Sequence, residues 1–447
     1  MSRLFAWLLN LAYLALIVVL SPWLLWSAIR HDKYREGFTE KLWGRVPRRD
    51  GKRPRAWLHA VSVGEVNLLA TTIAELSERL PEWEIVVSTT TKTGYDLACR
   101  KYPSRTVFYC PLDFSWAVDR AMRRMRPTLL VLAELELWPN LVAAAARHKV
   151  RVAIINGRLS DKSFRGYRWL KPLVARALRR IDLIAAQNDE TAERFLRLGA
   201  RPAAVHSTGS LKFDGAQTNR ANPRTHELRQ LAGLNADDVV FLAGSTQDPE
   251  EQAALSIFQR LATDHPQLRL IVVPRHPQRF DEVAELIAQS GARWVRRSEL
   301  PLDAPDRRDP ASHEPWQVLL VDTIGELGAW WGAATLGFVG GSFGGRGGQN
   351  MLEPAAYGVA ASFGPNTWNF RDIVAQLLAA EGAMLVQNSS ELEGFVRRVL
   401  ERPEWAAMLG DRAQRLVLSQ QGATKRTAEL IQSLVATATP AAPRRAA

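Results

Sequence analysis

The sequence predicts an α/β protein of two doubly wound, Rossmann-like domains facing a cleft, preceded by an N-terminal transmembrane helix. Three observations predict it. Short, nearly continuous β-rich apolar runs alternate with helical patterns in two successive series. Strands of that kind are buried on both faces, as in parallel sheets covered by helices. A polar interval at 214–236 separates the series, and a length of 447 residues suits two or three domains of ~100–200 residues each. Ahead of both lies an uncharged apolar run long enough to cross a bilayer.

That run, LFAWLLNLAYLALIVVLSPWLLWSAI, covers 26 positions at 4–29. As a helix it is about 39 Å long, against a hydrocarbon core of ~30 Å. Trp7, Trp23 and Trp26 stand toward its ends, where interfacial aromatics belong. A cleavable signal peptide would show a shorter apolar stretch and an A-x-A-like site behind it, and neither is present. A helix lying in the interface is the other alternative. Arg3 precedes the run and ten Lys/Arg follow within 30–55, so the positive-inside rule places the body of the protein on the cytoplasmic side of a single-pass anchor.

The first series comprises WLHAVSV (57–63), EIVVSTT (84–90), TLLVLA (128–133), RVAIIN (151–156) and DLIAAQ (182–187). The second comprises VVFLAGS (239–245), LRLIVVP (268–274), WQVLLV (316–321), ATLGFVGG (334–341) and VAASFG (359–364). The expected domains are an anchor at 1–30, a first α/β domain at 31–220, a second at 221–430 and a disordered tail at 431–447. Ligands in this architecture bind at the carboxyl ends of the strands.

The net charge of +12 would suit a nucleic-acid partner, but two stretches carry it. Residues 30–55 sum to +6 and residues 162–180 to +7, leaving the rest of the chain near neutral. A nucleic-acid channel would spread its charge along a groove. The second patch, DKSFRGYRWLKPLVARALRR (161–180), interleaves its cations with Phe164, Tyr167 and Trp169. It reads either as a segment lying on an anionic bilayer or as an ordinary surface helix. The two cysteines, Cys99 and Cys110, make no disulfide framework, and no Cys/His group has zinc spacing.

Chemistry is expected where loops leave strands. GGSFGGRGGQN (340–350) lacks the lysine of a P-loop and does not complete G-x-G-x-x-G, and no D-x-D or H-E-x-x-H occurs. Strand, glycine loop and a helix starting near Asn350 could still present backbone N–H groups to a phosphate, with Glu353 accepting from ribose hydroxyls. The plainer reading is a turn with an Asn cap and an acid answering the helix dipole. Arg275, after strand 268–272, could meet a phosphate. VDTIGEL (321–327) adds a third loop, where Gly325 permits close approach. In the first half Glu65 stands at a strand-to-helix junction, placed for general-base work or simply for satisfying the helix N-terminus. Glu134 and Glu136 end another strand and, spaced by two, point to opposite faces if it continues, so at most one is expected at the cleft. Arg158 and Lys212 are cations able to meet an anionic substrate, or plain surface charges.

HAVSVGE, ELELWPN, NGRLS, AAQNDE, TGSLKFD, VPRHPQRF, FVGGSFGGRGGQNMLEPAA and FGPNTWNFRDI follow in this order behind the apolar run. Together they closely resemble the 3-deoxy-D-manno-octulosonic acid (Kdo) transferases of Gram-negative lipopolysaccharide synthesis, glycosyltransferase family 30, across residues 1–430. The resemblance implies a GT-B fold with an acceptor-binding first domain and a donor-binding second domain at the inner membrane. It implies CMP-Kdo as donor substrate, the lipid A precursor lipid IVA as acceptor, and an inverting transfer with no metal or other cofactor and no nucleic acid. Carried onto this sequence, the general base falls on Glu65. The CMP contacts fall on Pro274 and Arg275, on Ile324, Gly325 and Glu326, and on Asn350, Met351, Leu352 and Glu353. Glu134 and Arg158 match further motif positions, and Lys212 stands in TGSLKFD. Met351 and Gln349 depart from residues found in some relatives. The rival enzyme is a membrane glycosyltransferase using another nucleotide sugar and lipid. A non-catalytic nucleotide- or nucleic-acid-binding protein would bind without turnover and weaken steeply with salt.

Overall fold

The apolar runs fold as two wholly parallel sheets in a computed structural model described over residues 3–31, 36–300 and 316–436. One unit takes Met1–Gly215 and Gln420–Ala447, the other Ala216–Ser419.

The first sheet is built from β1 (Arg55–His59), β2 (Glu84–Thr89), β3 (Val107–Tyr109), β4 (Leu129–Ala133), β5 (Arg151–Gly157), β6 (Leu183–Ala186) and β7 (Val205–Ser207). Their spatial order is β3-β2-β1-β4-β5-β6-β7. The chain winds outward one way from β1, returns, and winds the other way from β4, which makes the β1/β4 boundary the topological switch point. All five residues of β1 and of β4 are buried. Successive side chains alternate between faces, so Trp57, Leu130 and Val152 join one core layer while Leu58, Val131 and Ala153 join the other.

The second sheet comprises β8 (Val239–Thr246), β9 (Leu268–Pro274), β10 (Trp294–Arg296), β11 (Val318–Leu320), β12 (Leu336–Val339), β13 (Ala360–Phe363) and β14 (Met384–Leu385). The order β10-β11-β9-β8-β12-β13-β14 also runs out both ways, with its switch point between β8 and β12, except that β10 takes the edge and β11 fills the place inside it. Phe241, Leu270, Val272 and Phe338 pack against Ile257, Phe258 and Phe395 from the covering helices. On the other face Trp331 lies so close to β12 that a Cβ on Gly337 would come within 2.3 Å of its ring.

The expected boundaries at 220 and 430 shift. Helix Ala423–Ala436 leaves the second unit and packs its Ala428, Ile431 and Val435 against Leu69, Ile73 and Leu76 of the first. Asp214 fixes the return by accepting from the backbone amides of Gly422 (2.6 Å) and Thr424. The tail expected from 431 is therefore helical to Ala436, and 437–447 lie outside the described residues.

The apolar N-terminal run forms helix Arg3–His31, with described side chains at 6–19, 21–22 and 26. Trp7, Leu8, Leu11, Leu14, Leu16, Val18 and Val19 are exposed, whereas Asn10 is buried. Asn10 exchanges hydrogen bonds with Ser115 (2.8 and 3.0 Å), and the Tyr13 hydroxyl donates to Asp113 (3.1 Å). Among the described residues no helix is long and apolar enough to cross a membrane, so the expected crossing rests on the sequence. The basic patch forms helices Asp161–Trp169 and Lys171–Leu178. Lys171, Arg176, Arg179 and Arg180 line a shallow groove there, and Trp169 beside it is 90% exposed.

Candidate functional site

Each unit gathers polar groups at the switch point of its own sheet. In the first, β1 ends and Ser62 caps helix Val63–Arg79. Glu65 sits three residues into this capping box: its amide donates to Ser62 Oγ (3.4 Å), and Ser62 Oγ donates to Glu65 Oε1 (2.9 Å). The amide of Val61 donates to Oε2 (2.8 Å). The cap thus holds the carboxylate in one orientation and leaves lone pairs on both oxygens. Burial pushes the Glu65 carboxyl above its ordinary range, and the charge of Glu134 adds to that, against the hydrogen bonds from Val61 and Ser62.

Glu134 and Glu136 come from the loop after β4, the neighbour of β1. Strand β4 ends at Ala133 and Glu134 takes φ 57°, so side-chain alternation does not carry through the pair. The charges of Glu134 and Glu136 nevertheless bear on the Glu65 side of the sheet, since Glu134 acts on Glu65 and Glu65 on Glu136. Glu136 is pushed up to about 7 by burial first, then by the charges of Glu65 and Glu134. Burial and the neighbouring charges thus favour the protonated form of Glu136. Lys212 Nζ stands 3.8 Å from Glu134 and supplies a counter-charge. Its loop is tied down by buried Asn156 at the end of β5, whose Oδ1 accepts from the amide of Leu211 (3.0 Å). Arg158 follows on the same strand end, exposed.

In the second unit, Pro274 is buried at the end of β9, in register with Thr246, and Arg275 beyond it is exposed. The Arg275 amide donates to the Thr246 carbonyl (3.0 Å). Asn350 Nδ2 donates to Glu353 Oε1 (2.9 Å) while its Oδ1 accepts from the amide of Leu352 (3.1 Å). Burial raises the Glu353 carboxyl, opposed by Asn350 and by the charge of Arg275. Arg275, Asn350 and Glu353 thus come together. Met351 and Leu352 are buried. The helix expected from Asn350 is the short segment Leu352–Ala356.

Ile324, Gly325 and Glu326 follow β11, beyond β9 in the sheet. Ile324 is 81% exposed and Gly325 turns at φ 90°. The Glu326 carboxylate is already engaged: Arg297 donates to both oxygens (2.9 Å each), Arg224 to one (2.6 Å) and the Thr323 hydroxyl to the other (2.7 Å). Its side chain braces the fold, and its carbonyl accepts from the amides of Ala329 (2.9 Å) and Trp330 (3.1 Å).

The sequence reading missed Glu250. Its buried carboxylate accepts from the amides of Gln247 (3.0 Å), Gly341 (2.7 Å), Ser342 (2.9 Å) and Phe343 (3.0 Å), bridging the loops after β8 and β12. The only signal in the sequence was an acid three residues beyond Gln247 at a helix start, which is common to many helices.

Residues 35–215 match the family model described as "3-Deoxy-D-manno-octulosonic-acid transferase (kdotransferase)". The chain is 30% identical over 429 residues to the 3-deoxy-D-manno-octulosonic acid transferase of Haemophilus influenzae, covering 94% of this chain and 97% of that one. It is 33% identical over 386 residues to the same-named protein of Bordetella pertussis, covering 84% and 86%. Among solved structures it resembles UDP-GlcNAc 2-epimerase from Neisseria meningitidis bound to UDP-GlcNAc, with TM-score 0.55 and 12% identity, covering 86% of this chain and 100% of that one. That likeness shows the paired α/β fold.

Proposed function

The chain belongs to the Kdo transferase family, a glycosyltransferase that transfers Kdo in lipopolysaccharide core biosynthesis, and from that premise we propose its substrates, its catalytic residues and its place in the cell. The donor is CMP-Kdo and the acceptor is lipid IVA. Glu65 is the general base of an inverting transfer. It takes the proton from a glucosamine hydroxyl of the acceptor, and the oxygen attacks the anomeric carbon of Kdo from the face opposite CMP. The carbon–oxygen bond to the phosphate breaks, the transition state is oxocarbenium-like, and CMP leaves with the electron pair. Arg275 and amides of the loop 340–350 take up the charge growing on the leaving phosphate. No step calls on a metal or other cofactor.

The observation that carries this reading is the Glu65 carboxylate, fixed by Val61 and Ser62 at the switch point beside Glu134 and Glu136. A base in that company is more basic than a solvated glutamate. Its capping bonds hold it in one orientation, the condition for positioned proton transfer. Lys212, beside Glu134, and Arg158, just after β5, suit the anionic groups of acceptor or donor.

The protein is anchored by residues 4–29 with its body on the cytoplasmic face of the inner membrane. The exposed apolar face of the N-terminal helix supports this, as does the groove of Lys171, Arg176, Arg179 and Arg180 beside exposed Trp169. Both features suit an anionic lipid surface. The test replaces Glu65 by Gln and follows turnover of lipid IVA and CMP binding together. Turnover lost with binding kept supports the role of Glu65, and unchanged turnover removes it.

A further inference from the structure

We infer that Glu250 is a positioning residue for the donor: by gathering four backbone amides at the switch point of the second unit, it holds the loop 340–350 in the shape that meets the phosphate of the nucleotide. This rests on the reading of that loop as the donor site.

The loop contains six glycines, at 340, 341, 344, 345, 347 and 348. Glycine loses more backbone freedom on ordering than any other residue, so such a loop needs a strong constraint to stand still before the ligand arrives. Glu250 provides it from a helix start on the neighbouring crossover. Its side chain is 1% exposed, and Oε1 accepts from Ser342 and Phe343 while Oε2 accepts from Gln247 and Gly341. These four bonds fill the acceptor sites of a carboxylate, and charge on the acceptor makes each stronger than a neutral pair. The fit is close, since a Cβ on Gly340 would come 2.7 Å from Oε2.

Other bonds secure the same end of the loop. The Ser342 hydroxyl donates to the Val339 carbonyl (2.6 Å) and accepts from the amide of Gly364 (2.8 Å), and Asn366 donates to the Phe343 carbonyl (3.1 Å). At the far end the amide of Gly348 donates to the Gly341 carbonyl (2.8 Å), and that of Asn369 to the Gly347 carbonyl (3.1 Å). Between the fixed ends, the amides of Gly344, Gly345 and Arg346 donate to no protein acceptor among the described residues. Gly345 and Arg346 are exposed. Glu250 therefore occupies the amides nearest the sheet and leaves the outer three, with Arg275 and Asn350, for an anionic ligand. A free carboxylate at a switch point would repel that ligand. Saturated by four amides, this one does not present a bare charge.

The test uses the full chain in detergent, with E250Q, E250D and R275A compared to the parent. Gln keeps the volume but removes the charge and sets an NH2 donor against amide donors. CMP affinity is measured by titration calorimetry, amide exchange of 338–349 by mass spectrometry, and the fold by thermal melting. E250Q is expected to bind CMP roughly tenfold more weakly or worse, the scale of one lost charge-assisted hydrogen bond. It should also exchange faster at 341–343 and raise KM for CMP-Kdo more than it lowers kcat, with E250D intermediate. If E250Q does not fold, E250D is judged by the same criteria. CMP affinity kept in E250Q but lost in R275A overturns the role of Glu250 and spares the donor site. Affinity kept in both overturns the two together.

Discussion

Replacing Glu65 by Gln separates the two jobs the structure gives this residue. As the third residue of a capping box it accepts from Val61 (2.8 Å) and Ser62 (2.9 Å). A Gln carbonyl can keep one of these bonds, so the stability loss should stay within about 1 kcal/mol. For a unit of this size that is a drop of about 2–4 °C in Tm. As a base, the side chain loses all function, since an amide does not accept the acceptor's proton, and turnover should fall roughly 10²–10⁴-fold. The assay follows Kdo addition to lipid IVA by mass spectrometry at saturating CMP-Kdo, with CMP affinity and Tm measured on the same preparation. The pH profile of the parent adds a check. Burial and Glu134 raise the Glu65 carboxyl, and a base must be ionised, so kcat should fall on acidification at a pH above the ordinary glutamate value of ~4.3. Turnover within about threefold of the parent, in a folded variant that still binds CMP, would refute the reasoning. The same rate loss in E136Q with E65Q active would move the role to Glu136.

Two further predictions follow from packing and linkage. Glu136 has a folded pKa raised to about 7, so its stabilising contribution is present below the unfolded value of ~4.3 and is lost as pH rises through 7. Glu136→Gln should therefore raise Tm by a few degrees at pH 8, with the gain fading toward pH 4. A gain equal at both ends of the scan would contradict the shared-carboxylate account. Gly337→Ala drives a methyl to within 2.3 Å of the Trp331 ring; overpacking of this kind costs about 1–3 kcal/mol, read as a lower midpoint in urea with the m-value unchanged.

The central strands were legible because each is buried on both faces and reads as an unbroken apolar run: β1, β4, β8 and β12 lie inside or against the expected segments. The sheet edges were not. Strands β3, β7, β10 and β14 have two or three residues each, too few for any period to show. The return of helix Ala423–Ala436 to the first unit depends on Asp214 and Leu69, more than 200 residues earlier, and no local pattern records it. The site shows the same division. Glu65 was readable as an acid three residues after a serine at a helix start. The elevation of Glu136 was not, because it arises first from burial and then from the charges of Glu65 on a neighbouring strand end and of Glu134, whose left-handed turn defeats the two-residue rule. Glu326 looked like a loop acid open to substrate, yet Arg224 and Arg297 already take its oxygens. Glu250 resembled any acid answering a helix dipole, because its loop partners lie 91 to 93 residues further along the chain.

The central claim is that this chain transfers Kdo from CMP-Kdo to lipid IVA. The measurement is mass spectrometry of lipid IVA incubated in detergent with the purified protein, CMP, Kdo and a CMP-Kdo synthetase. The account predicts product masses raised by one or more Kdo units, which also counts the additions, and no such product with E65Q. Lipid IVA left unchanged, in a mixture where a control transferase is active, would contradict the assignment of these substrates.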